Sequence, residues 1–175
     1  ATTVNSSFFT VDTTTPTIIN VKGISKANSY KAGDTITISI EFSETVYVTG
    51  SPTLNLNSGT GATASYDSGS ESTLLLFKYT VSSGDSTISD NTLGYLDVDV
   101  DYITYDSDNN IKDVANNETD YSLATGGTEN SLSYNTEIVI DTTAPSDFQV
   151  GTVQAKGGIY DAGFYNSNNT SVNIH

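Results

Sequence analysis

From Thr35 to Phe42 the chain alternates without a break. Ile36, Ile38, Ile40 and Phe42 are apolar; Thr35, Thr37, Ser39 and Glu41 are polar. A helix would scatter those four apolar side chains around its axis, whereas an extended strand puts them on one face. The same period returns in Leu96, Val98, Val100 and Tyr102, interleaved with Asp97, Asp99 and Asp101. Those three aspartates are read as the solvent face of an edge strand. Ser72 to Val81 forms another long run, and shorter strands are expected over 17–24, 46–49, 53–57, 62–67, 111–115 and 137–141. β-Branched and aromatic residues fill these runs. Turn formers separate them, as in Ala32-Gly33-Asp34, Ser58-Gly59-Thr60-Gly61, Ser83-Gly84-Asp85 and Asp108-Asn109-Asn110. No window keeps a helical period over three turns. The pattern predicts an all-β fold, sandwich or barrel, and we favour an immunoglobulin-like β-sandwich.

A repeated junction sets the boundaries. Val11-Asp12-Thr13-Thr14-Thr15-Pro16 returns 129 residues later as Ile140-Asp141-Thr142-Thr143-Ala144-Pro145. Each copy follows an apolar run and precedes another, as expected of linkers in a tandem array. Residues 12–145 are therefore expected to form one complete module. Residues 1–11 read as the terminal strand of a preceding module or a donor strand. Residues 146–175 read as the first two strands of a following module or a donated hairpin. Neither end piece can bury an apolar face alone.

Several segments along 12–145 resemble the Ig-like repeats of large bacterial surface adhesins. They are Phe42-Ser43-Glu44-x-Val46, Gly50-Ser51-Pro52-Thr53-Leu54-Asn55-Leu56, Ala64-Ser65-Tyr66-Asp67-Ser68-Gly69-Ser70, Phe77-Lys78-Tyr79-Thr80-Val81-x-x-Gly84-Asp85, Ile111-Lys112-Asp113-Val114-Ala115-Asn116-Asn117 and the Asp141 junction. They follow one another in the family's order. Asn116 stands where the family usually has Gly, and Asn also tolerates positive φ. Asp106-Ser107-Asp108-Asn109-Asn110 replaces a Gly-rich turn. The resemblance implies a Ca²⁺-rigidified extracellular spacer or adhesive module at the cell surface.

Charge narrows the partners. Six Lys and no Arg face 21 Asp and Glu, a formal charge of −15. Nucleic-acid binding and docking on an anionic membrane both need basic surface, so neither is expected. No apolar run approaches the ~18 residues of a membrane span, so no insertion is expected. With no Cys and a single, terminal His, thiol chemistry, an imidazole zinc site and a Ser-His-Asp triad are set aside. Glu41 and Glu44 make a poor glycosidase pair because Glu41 has outward parity. No enzymatic activity is expected.

Calcium needs six to eight oxygens, several from carboxylates. Glu44 keeps the inward parity of Ile40 and Phe42, and an inward carboxylate at a module end needs a partner. Two junctional Ca²⁺ clusters are expected: Asp12, Glu44 and Asp113 at one end, and Asp141, Asp34 and Asp85 at the other. Asp106-x-Asp108-x-Asn110 has the spacing of a calcium loop's start but lacks its Gly and distal Glu, so an acidic turn is the stronger reading. Tyr160, Phe164 and Tyr165 could stack on a sugar or fill a core. Lys22 and Lys78 could be imagined in isopeptide crosslinks but read as outward. Asn5, Asn117, Asn168 and Asn169 lie in glycosylation sequons. Three functions follow: a rigid array element, a self-assembling subunit of a fibre or sheath, and a carbohydrate-binding module. Their partners would be adjacent Ig-like modules, identical subunits, or glycans.

Overall fold

The alternating run becomes the longest strand of an all-β fold. The computed structural model describes residues 10–104 and 108–145, with backbone alone at 100–102, and the backbone of two further strands at 153–156 and 171–174. The chain divides into two compact units, Ala1–Thr143 and Ala144–His175. Strands of the first unit are β1 (Ile18–Gly23), β2 (Ser29–Tyr30), β3 (Thr35–Thr49), β4 (Thr53–Leu56), β5 (Thr63–Ser68), β6 (Ser72–Thr80), β7 (Val98–Thr104) and β8 (Asn110–Lys112). A single helical turn, α1 (Leu132–Asn135), precedes β9 (Val139–Ile140). In the second unit β10 (Val153–Lys156) and β11 (Ser171–Ile174) pair as an antiparallel hairpin.

Seven strands form one curled antiparallel sheet in the order β1-β3-β6-β5-β4-β7, with β8 on the far end of β3. β2 and β9 pair separately and in parallel. The curl turns one face of every strand onto a shared core. Ile36, Ile38, Ile40, Phe42 and Val46 of β3 meet Leu75, Phe77 and Tyr79 of β6 and Leu54 and Leu56 of β4. Leu96, Ile111, Leu132, Ile138 and Ile140 complete that core.

The two strands expected over 35–42 and 46–49 are one. Ser43-Glu44-Thr45 holds none of the stronger turn formers Gly, Pro, Asn or Asp, and the chain stays extended. The pairing is nonetheless interrupted. Glu41 faces Leu74 and Val46 faces Ser72, so four residues of β3 span a gap filled by Thr73 alone. Such a bulge bends a strand and raises its twist. Past it, Tyr47, Val48 and Thr49 pair with β8 instead.

The aspartate stripe needs a correction. Asp99 is exposed, but Asp97 is only 6% exposed. Pairing of β7 begins at Val98, so Asp97 precedes the ladder and escapes its parity. Its carboxylate accepts from Val98 N (2.8 Å), Gly127 N (3.1 Å) and Ser133 Oγ. A Cβ on Gly126 would come within 3.0 Å of Asp97 Oδ2, so glycine lets that loop approach. The carboxylate thereby fixes the 126–133 loop over the core. Val100, Asp101 and Tyr102 lie outside the described side chains.

Asp97→Ala should leave these donors unpaired and lower the denaturant midpoint by an amount equal to about 2–3 kcal/mol. The exposed Glu129→Ala should stay within about 0.5 kcal/mol of the parent. Equal midpoints for the two variants would remove Asp97 from the fold's supports.

Candidate metal centre

Three separated stretches of sequence meet where the segment before β1, read above as a linker, joins that strand. Asp12 lies in that linker, where its Oδ1 accepts from Thr14 N at 2.9 Å. The linker is pinned farther along. Pro16 O accepts from Asp120 N (2.8 Å), and Thr17 N donates to Ser43 Oγ (3.0 Å) while Thr17 O accepts from Ser43 N (2.9 Å). Glu44 stands in the bulge of β3, one residue beyond that staple. Its inward parity follows from its place between the buried Phe42 and Val46.

Asp113 begins the turn that follows β8. Asn116 closes the turn at φ 73°, the left-handed conformation expected for it. Asn117 is the brace. Its backbone N–H donates to Asp113 Oδ1 (2.8 Å), and its Nδ2 donates to Asp113 Oδ2 (2.7 Å) and to Asp12 O (3.2 Å). One amide thus ties the linker to the turn, and both its hydrogens are engaged. The sequence marks Asn117 as a sequon and as the end of a family-like segment, not as a brace. Its place four residues after Asp113, closing a tight turn, is the signal that points to this role.

One carboxylate oxygen from each of Asp12, Glu44 and Asp113 lies within 4.8 Å of the other two. Oxygens bound to one Ca²⁺ at 2.3–2.6 Å stand at most about 5 Å apart, so the spacing fits a shared ion. Asp113 is buried; Asp12 and Glu44 are half-buried. Glu44 Oε1 is sealed from solvent and has no hydrogen-bond partner among the described residues. An orphaned carboxylate oxygen of this kind costs free energy unless a cation or proton meets it.

The protonation pattern follows. Burial pushes Glu44 above the ordinary glutamate range, and the Asp12 and Asp113 charges push it the same way. Burial also acts to raise Asp113, but hydrogen bonds from the Asn117 side chain and from the backbone of Asn117, Ala115 and Asn116 outweigh it and hold Asp113 low. Two anions thus converge on a third group that resists ionisation.

The second expected cluster does not assemble. Among the described residues Asp34, Asp85 and Asp141 form no acidic group of this kind. Asp34 accepts from Lys31 N (2.9 Å) and approaches Lys31 Nζ at 3.6 Å. Asp85 turns inward, where its Oδ2 accepts from Tyr79 OH (2.5 Å) and Ser82 N (2.8 Å). Burial, reinforced by Asp85, raises the Tyr79 pKa, and Ser58 Oγ lies 2.9 Å from the same hydroxyl. Asp141 Oδ1 accepts from Thr143 N at 3.0 Å. Sequence places these residues near one another along the fold but does not reveal that each carboxylate has a local donor.

Other candidates are quickly placed. Lys78 faces outward and pairs with Asp67 at 2.8 Å; Lys22 is exposed. Asp106, Tyr160, Phe164, Tyr165, Asn5, Asn168, Asn169 and residues 1–9 lie outside the described residues. An open cleft of about 630 Å³ is lined by Asn55, Leu56, Asn57, Gly59, Thr60, Gly61, Ala62 and Asp99, with no aromatic ring to stack on a sugar. No helix among the described residues is long and apolar enough to cross a membrane. Comparison with family models, curated proteins and solved structures finds no match.

Glu44 carries the pH prediction. Its folded pKa is raised, so in metal-free protein the folded state holds more protons between the unfolded value, about 4.3, and the folded one. Stability contributed by this group is present below the unfolded value and is lost as pH rises through that window. Glu44→Gln should therefore be more stable than the parent at neutral pH in chelator, with the gap closing below pH 4. Denaturation midpoints across that range check it; a gap independent of pH would refute the assignment.

Proposed function

We propose that residues 12–145 are a non-catalytic Ig-like module of an extracellular surface protein, held rigid by Ca²⁺ bound between Asp12, Glu44 and Asp113. The observation that carries the reading is the sealed Glu44 Oε1, without a hydrogen-bond partner among the described residues, beside two other carboxylates. One ligand comes from the linker and two from the module body. A shared divalent ion would remove freedom from the linker, which is what a spacer in an array needs. All three ligands are hard oxygens, which suits Ca²⁺ better than softer metals. The acidic composition and the ordered resemblance to adhesin repeats support the extracellular setting. An immunoglobulin-like sandwich is the reading of the curled sheet that fits its strand number and its bent β3, shared by β1, β6 and β8.

A second reading, a subunit that polymerises by strand donation, draws on the C-terminal hairpin. Among the described residues β10 and β11 pair only with each other, and a lone hairpin is marginal in water.

Chelator-stripped protein should take up Ca²⁺ saturably in calorimetry, with Mg²⁺ as control. At ten times the dissociation constant, binding should add about 1.4 kcal/mol to unfolding. Glu44→Gln and Asp113→Asn should each remove the gain. Unchanged stability of the parent in Ca²⁺ would reject the site. Light scattering during the titration separates the two readings: growing mass means a polymerising subunit, constant monomer mass an array element.

A further inference from the structure

The two copies of the junction share a local conformation but not an environment. In each, the first aspartate accepts from the backbone N–H two residues on, Asp12 from Thr14 at 2.9 Å and Asp141 from Thr143 at 3.0 Å. The outgoing copy is locked to the module it leaves. Ile140 is fully buried, with its N–H on Thr87 Oγ1 (3.0 Å) and its carbonyl on Thr87 N (2.9 Å). Asp141 N donates to Tyr30 O at 2.9 Å. Thr142 Oγ1 then makes two bonds at once, donating to Asp85 O (2.8 Å) and accepting from Gly84 N (3.2 Å). That turn is itself anchored in the core by the Asp85–Tyr79 contact.

In the incoming copy the equivalent positions are idle. Val11, the counterpart of Ile140, is 83% exposed. Thr13, the counterpart of Thr142, is exposed and makes no hydrogen bond among the described residues. Of Val11, Asp12 and Thr13, Asp12 alone is engaged among the described residues, with the part of the chain that follows it.

We infer that Val11 and Thr13 form a docking element for the outgoing end of a second module of this kind. Val11 takes the core position of Ile140, and Thr13 latches onto that module's Gly84–Asp85 turn as Thr142 does here. The linker is then two-sided. Its threonine grips the module behind, and its aspartate serves the module ahead. The partner is set by chemistry: a buried apolar slot beside a β2-like strand, and a turn offering one N–H and one carbonyl to a single hydroxyl. This inference rests on reading the chain as an array module, but not on the cation.

The test first measures the latch in the full chain. Thr142→Val should speed amide exchange at Gly84 about five- to tenfold, and Thr142→Ser should restore most of the protection. A second copy of residues 12–136 is then fused ahead of Phe8 of the chain, so that 8–13 replace 137–142 of that copy. The control fusion keeps the first copy's own 137–143 and adds a flexible linker. The direct fusion should unfold as two modules. Its Thr13→Val variant should deprotect Gly84 of the first copy by the same factor, in chelator as in Ca²⁺. The proposal is overturned if the control folds both modules and the direct fusion only one. It is equally overturned if Thr13→Val leaves that amide unchanged. Loss of the Ca²⁺ effect alone would count against the cation and leave the latch standing.

Discussion

Strand parity along β3 is the constraint from which the rest follows. Side chains of an extended chain alternate faces, and a slip of one residue would turn Ile36, Ile38, Ile40, Phe42 and Val46 out to water. At roughly 25 cal/mol per Å² of apolar surface, that register is not negotiable. The same parity drives Glu44 inward between Phe42 and Val46. The bulge at 42–45 gives the glutamate room at the margin of the sheet and redirects the strand toward β8. Core and candidate site are consequences of one register.

Around that register the fold is closed by polar side chains placed at loops. Asp97 gathers the 126–133 loop, Asp85 binds Tyr79 to the turn after β6, and Asn117 joins the incoming linker to Asp113. Each satisfies buried or half-buried donors that a Cys-free, helix-poor chain has few other means to pair. The Asp12–Glu44–Asp113 group differs because one of its oxygens has no donor among the described residues. That contrast separates a candidate ligand set from the structural carboxylates nearby.

Much of this was legible in advance. The faces of β3, the outward place of Lys78 on β6, the positive φ of Asn116 and the inward parity of Glu44 follow from periodicity and turn chemistry. The convergence of Asp12, Glu44 and Asp113 was legible because a linker, a strand end and a turn were each assigned to the same end of the module. The Asp34, Asp85 and Asp141 grouping used the same logic and did not assemble, since end assignment says nothing about rotamers. A carboxylate three residues from a free backbone N–H, as in Lys31–Asp34 or Ser82–Asp85, folds back on its own turn. Asp97 escaped because parity applies only inside a paired ladder.

The sequence by itself determined the all-β class, the inward face of β3 and the repeated six-residue junction. These depend on local period and local turn preference, which act over a few residues. Only the tertiary structure decided which of the two expected carboxylate groups meets, which carboxylates are answered by a nearby hydroxyl or amide, and which oxygen finds no donor among the described residues. Those outcomes turn on distances between segments as much as 105 residues apart in sequence. They also turn on side-chain rotamers, to which the alternation of polar and apolar residues is blind.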